Sequence, residues 1–167
     1  MEQNKIKRLK DEKQFFEIVK TISEESVFSQ TEQYIQHGVT TVYQHSLAVA
    51  YYSCWLAEHF HIQVQKKEMI RGALLHDYFL YDWHDKCGRH FHGFTHPGCA
   101  LRNASRDFRL TLREKDIIKK HMFPLTPIPP VYREGLLVCI ADKVCSTYET
   151  FHRRRLRWML YHLKWNY

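Results

Sequence analysis

Glycine is scarce in this chain, six among 167 residues. With no alternating strand-like stretch either, this argues against an all-β fold. Long apolar runs are also missing: nothing approaches the ~20 residues that span a bilayer. The start, Met1 to Lys13, is polar and charged and has no signal-peptide core. The cysteines (Cys54, Cys87, Cys99, Cys139 and Cys145) are odd in number and form no CxxC. Neither a disulfide framework nor a zinc ribbon is suggested, so a reducing, cytoplasmic setting is expected, with no membrane association.

The chain does have a globular composition, 44% hydrophobic and 26% charged, and it is long enough to bury a core. It carries no internal repeat and no linker, so one domain over 1–167 is expected. Lys and Arg outnumber Asp and Glu by 25 to 18, which favours a small anionic, phosphate-containing substrate. Only Arg153-Arg154-Arg155-Leu156-Arg157 is a dense basic block. The charge is otherwise spread out, which does not suit a nucleic-acid binder.

The helical period runs through most of the sequence. Phe15, Phe16, Val19 and Ile22 share a face and predict a helix over ~8–27. Thr41-Val42-Tyr43-Gln44 is a capping box opening a helix to about Phe60, with His45 on its buried face near the start. A third helix is expected over ~65–80, then a loop over 81–95. Pro97 suits the first turn of a fourth helix, with Thr95 or His96 near its cap. Thr111-Leu112-Arg113-Glu114 is a second capping box, opening a short helix to His121. Pro124, Pro127, Pro129 and Pro130 force an extended connection. A helix from about Val131 carries Asp142, and a basic, aromatic, partly helical segment follows over 151–167. There Leu156, Met159 and Leu163 have the spacing of a docking face, which leaves a homo-oligomer open.

Two strong metal ligands, His76-Asp77, follow the apolar run Met69 to Leu75. His45, His96, His121 and Asp142 are spaced to lie on separate helices. Adjacent helical residues project about 100° apart, so His76 and Asp77 share a site only near a helix end. A lone histidine on an apolar face is usually a hydrogen-bonded core residue, and a buried Asp142 would be costly unless paired. The whole set is hard to explain without a metal. Its mixed nitrogen and oxygen donors suit a divalent transition metal, one or two ions of Fe, Mn, Co, Ni or Zn, better than Mg or Ca.

The order His45, His76-Asp77, His96, His121, Asp142 resembles the HD superfamily of metal-dependent phosphohydrolases. The resemblance covers about Thr41 to Tyr148 and includes Arg71-Gly72-Ala73-Leu74-Leu75-His76-Asp77 and Ile140-Ala141-Asp142-Lys143. The phrases Leu75 to Trp83 and Gly93-Phe94-Thr95-His96-Pro97 resemble small single-domain bacterial HD proteins described generally as hydrolases. The resemblance implies a compact all-α bundle of about six to eight helices. It implies a first metal on His45, His76, Asp77 and Asp142. It also implies a second on Asp77, His96 and His121, with Asp77 bridging and catalytic. His90 and His92 are alternatives to His96, which Pro97 and the following helix would fix. Cyclic-dinucleotide phosphodiesterases of this superfamily carry Lys where this chain has Leu80, which disfavours that activity.

Asp85, Asp82 or a neighbouring His is a candidate for protonating the leaving group; each of the two carboxylates is equally readable as a solvated loop residue. Arg71, Lys120 and Lys143 are candidates for phosphate contact, with Arg102 and Lys119, and His37 could position substrate. Tyr78, Phe79, Tyr81 and Trp83 could stack a base, although core packing is the more economical reading. Cys87 and Cys99 lie near the site in sequence but are not needed as ligands. Two other functions stay open: a mixed-valent di-iron oxygenase, which would share the six ligands, and a metal-stabilised sensor or scaffold without catalysis.

Overall fold

The computed structural model describes residues 9–81 and 92–151, apart from the side chains of His37, His92 and Gly93. Helix α1 (Glu12–Glu24) starts at Asp11, whose side chain accepts from the Gln14 N–H. Its buried face is Phe15, Ile18, Val19 and Ile22. Ile18 takes the place expected for Phe16, which packs only partly buried at the edge of the core. A 3-10 helix over Phe28–Gln33 follows.

Strands β1 (Ile35–His37) and β2 (Thr40–Thr41) form an antiparallel hairpin that the sequence pattern did not announce. Gly38 makes the turn with φ 61°, where a side chain would be strained. Ile35 pairs with Thr41 and His37 with Thr40. Gln36 is therefore the extra residue of a β-bulge. Thr41 also caps α2 (Val42–His59) through the full expected capping box with Gln44. Helix α2 is buried on nearly all sides, as a central helix must be, and packs against α3 (Lys66–Leu75) and α6 (Arg133–Phe151).

Helix α3 ends earlier than the expected residue 80. His76 is its C-cap, and its Nδ1 lies 2.7 Å from the Ala73 carbonyl. A side chain thus occupies one of the helix's terminal acceptors. Past it the backbone turns tightly, with Tyr78 N–H donating to Leu75 O and Phe79 N–H to Asp77 O. Helix α5 (Leu112–Lys120) opens with its expected capping box and ends the same way, His121 being the C-cap. His121 Nδ1 lies 3.0 Å from the Ile118 carbonyl.

Helix α4 (His92–Asp107) begins before the expected cap, so Pro97 lies inside it. As its sixth residue, Pro97 supplies no N–H for the ladder bond to the Gly93 carbonyl one turn back. The connection from 121 to 132 is turned more than extended, with Leu125 N–H donating to Met122 O. One buried apolar cluster runs from Leu9 to Cys145. Helices α3 and α5 approach closely at Gly72, where an added Cβ would lie 2.7 Å from Ile117 Cδ1. Among the described residues no helix is long and apolar enough to cross a membrane.

Candidate metal centre

Five elements converge on one buried point. His45 comes from the first turn of α2, His76 and Asp77 from the end of α3, His96 from α4, His121 from the end of α5 and Asp142 from the middle of α6. All six are buried. His45, His76 and Asp142 each offer a donor atom within 4.8 Å of the others, and so do His76, Asp77 and His121. Among the described residues no cysteine joins these groups, and Cys54, Cys99, Cys139 and Cys145 are buried thiols.

The rings are oriented from behind. His76 and His121 direct Nδ1 to backbone carbonyls at their helix ends. His45 directs Nδ1 to both oxygens of Glu149, at 3.0 and 2.9 Å. Each ring is thereby turned so that Nε2 faces the interior. This is the arrangement by which proteins hold imidazoles for metals, the outer hydrogen bond fixing tautomer and ring plane.

Asp77 lies at the centre, and its two oxygens face different sets. Oδ2 is 3.8 Å from His45 Nε2 and 3.4 Å from His76 Nε2. Oδ1 is 3.2 Å from His96 Nε2 and 3.5 Å from His121 Nε2. Asp142 Oδ1 closes the first set, 3.2 Å from His45 Nε2 and 3.9 Å from His76 Nε2. His96 Nε2 and His121 Nε2 are 2.8 Å apart in the second. His121 Nδ1–H faces a carbonyl, so its Nε2 is the acceptor of that pair.

The donor set passes a fit test for a divalent ion. His76 Nε2 and Asp77 Oδ1 are fully buried and take no directed hydrogen bond among the described residues. Buried polar atoms in this condition need a bound partner. Charge is already distributed for one. Burial alone would raise the Asp77 carboxyl, but His76, His96 and His121 outweigh it and hold its pKa well below the ordinary value. Asp142 is likewise lowered despite burial, chiefly by His45 and His76. Burial and the neighbouring His76 push His121 down to about 3. His45 goes the other way: burial depresses it, but Glu149 and Asp142 prevail and raise it well above its usual range.

The remaining predicted site residues are placed as follows. Lys143 reaches the cluster, donating to the His121 carbonyl at 2.7 Å and lying 3.2 Å from Asp142 Oδ2. Arg71 is not brought in; its Nε donates to Glu114 Oε1, in the first turn of α5, whereas His121 ends that helix. Lys120 is held by Asp116 at 2.7 Å. Lys119 Nζ and Arg102 Nη1 converge on Gly98, 3.4 and 3.8 Å from where its Cβ would be. Tyr78 and Phe79 are fully buried core residues, which removes them as a base-stacking platform. The Phe79 ring instead meets His96 edge-on, with centroids 5.9 Å apart. Asp82, Trp83, Asp85, Cys87, His90, the side chains of His37 and His92, and the basic segment beyond Phe151 lie outside what is described.

Sequence reasoning missed two contributors. Glu149 lies two helical turns after Asp142 on the same face of α6, a spacing that could have found it. Gln36 donates from Nε2 to Asp77 Oδ2; its position in a bulge left no periodic signal. Comparison with curated proteins and with solved structures finds no match. The HD domain family model, in contrast, matches residues 42–147, a span that contains all six clustered residues, and the chain therefore belongs to the HD domain family.

Proposed function

We propose that this protein is a metal-dependent phosphohydrolase acting on a nucleotide or another small phosphate ester. The observation that carries the reading is the pair of donor sets facing opposite oxygens of Asp77. Proteins of the HD superfamily are generally hydrolases that use divalent metals. In this reading His45, His76, Asp77 and Asp142 hold one ion, and Asp77, His96 and His121 hold a second. A divalent transition metal bound there supplies Lewis acidity and makes water a nucleophile near neutral pH.

The chain's own groups do the rest. The imidazoles are held with Nε2 inward, so little reorganisation is needed on binding. The buried carboxylates carry negative charge toward the ions, and Lys143 offsets the outer oxygen of Asp142. Lys119 and Arg102 offer positive charge to a phosphate ester at the surface. Asp85 or Asp82 protonates the leaving group.

The test is hydrolysis of p-nitrophenyl phosphate, bis-p-nitrophenyl phosphate and a nucleotide panel by metal-stripped protein reloaded with Mn, Co, Ni, Fe or Zn. Turnover that needs metal and is lost in Asp77→Asn is expected. Iron-specific O2 consumption without phosphate release would instead establish the oxygenase. Metal binding without turnover of either kind would leave a scaffold.

A further inference from the structure

We propose that Gln36 is a positioning residue of the metal centre: its Nε2 fixes the bridging carboxylate of Asp77 while its Oε1 accepts a hydrogen from a water inside the cluster. The inference rests on the metal-dependent reading of the site. Its starting point is backbone geometry. Ile35 and His37 oppose consecutive residues of β2, so Gln36 is the residue inserted between them. An inserted residue departs from strand alternation, and such bulges commonly re-aim a side chain beside a site. Strand β1 packs against α2 and α6, the helices that carry His45 and Asp142. The hairpin is tied to α2 as well, Val42 N–H donating to Tyr34 O at 2.8 Å.

The side chain has two ends with different conditions. Nε2 donates to Asp77 Oδ2, the oxygen that faces His45 and His76. With one oxygen held, the carboxylate cannot rotate, and Oδ1 stays toward His96 and His121. The amide cannot be reversed, since that would set a carbonyl oxygen against a carboxylate. Oε1 is then left fully buried with no donor among the described residues, and Gln36 as a whole is only 6% exposed. A buried carbonyl left unpaired carries its full desolvation cost. A water confined with it, having polar partners in the cluster, removes that cost.

The test is Co2+ titration of metal-stripped wild type, Gln36→Met and Gln36→Asn, followed by visible absorption and by melting of the metal-free forms. Methionine conserves volume without hydrogen bonds. Asparagine keeps an amide one methylene too short to reach. Both variants are expected to bind Co2+ about 10- to 100-fold more weakly, with a changed visible spectrum at saturation and metal-free melting close to wild type. A crystal structure of the loaded wild type is expected to show a water about 3 Å from Oε1. Wild-type affinity and spectrum in either folded variant would overturn the proposal. So would a lower metal-free stability with an unchanged spectrum, which is a packing role, or a protein donor on Oε1 in the crystal. Wild type that binds no Co2+ would instead overturn the metal-dependent reading.

Discussion

Glu149 shows how single residues set this site. It is buried and shares both oxygens with His45 Nδ1. Glu149→Ala removes the group that orients the ring and is expected to weaken metal binding about 10- to 100-fold; Glu149→Gln, which can still accept one hydrogen bond, should lose less. Competition against a chelator measures both, and unchanged affinity in the alanine variant would refute the role. The histidines also dictate the pH response of the metal-free protein. His121 is depressed to about 3, whereas an unfolded histidine titrates near ~6.5. The unfolded chain therefore takes up that proton first, and stability falls as pH drops from about 6.5 toward 3. Asp77 and Asp142 are depressed; their stabilisation is present above about 3.9 and is lost as pH falls further. His45 is raised, so its contribution is intact below about 6.5 and is lost as pH rises through its folded value. Denaturation midpoints measured from about pH 6 down to about pH 4, below the range in which His45 contributes a pH dependence, should decline, and less steeply in His121→Gln. Binding an ion requires neutral His45, so metal uptake near pH 7 should release about one proton per chain. Calorimetry in buffers of different ionisation enthalpy counts it, and no release would contradict the account.

At the scale of elements, helix ends carry the chemistry. His76 and His121 are C-caps of α3 and α5, and the separation of those two helices determines whether the two rings meet. Gly72 maintains that separation, with Ile117 Cδ1, Cβ and Cγ2 at 2.7, 3.0 and 3.1 Å from an added Cβ. Alanine gains about 1 kcal/mol of helix propensity over glycine, but overpacking costs about 1–3 kcal/mol. Because Ile117 Cβ is among the crowded atoms, rotating that side chain does not relieve the contact. Gly72→Ala is therefore expected to destabilise the fold and weaken metal binding together; urea unfolding decides, and a stabilised variant would be contrary to expectation. These elements were unequally legible in the sequence. Both capping boxes could be read because their signal is local: an oxygen and a reciprocal partner three residues on. The end of α3 could not, since His76 terminates the helix with the same side chain that serves the cluster. The hairpin was missed because its strands are too short to show alternation. Glu149 carried a signal only in its seven-residue spacing from Asp142, and packing is what reveals its burial and its contact with His45.

For the whole molecule, fold class and clustered residues were readable from the sequence because buried ionisable groups are too costly to occur by chance on five elements. The substrate side was not. Arg71 and Lys120 carry charge suited to phosphate, yet Glu114 and Asp116 hold them, and sequence gives no warning of such pairing. The central claim is that this bundle closes around two ions bridged by Asp77. Metal content per chain tests it most directly, by elemental analysis of protein purified without added metal and under exclusion of oxygen. The account predicts close to two ions, falling to about one in His96→Ala or His121→Ala. One ion indifferent to both substitutions would contradict the second site, and none after reconstitution with Mn, Fe, Co, Ni or Zn would contradict the centre altogether.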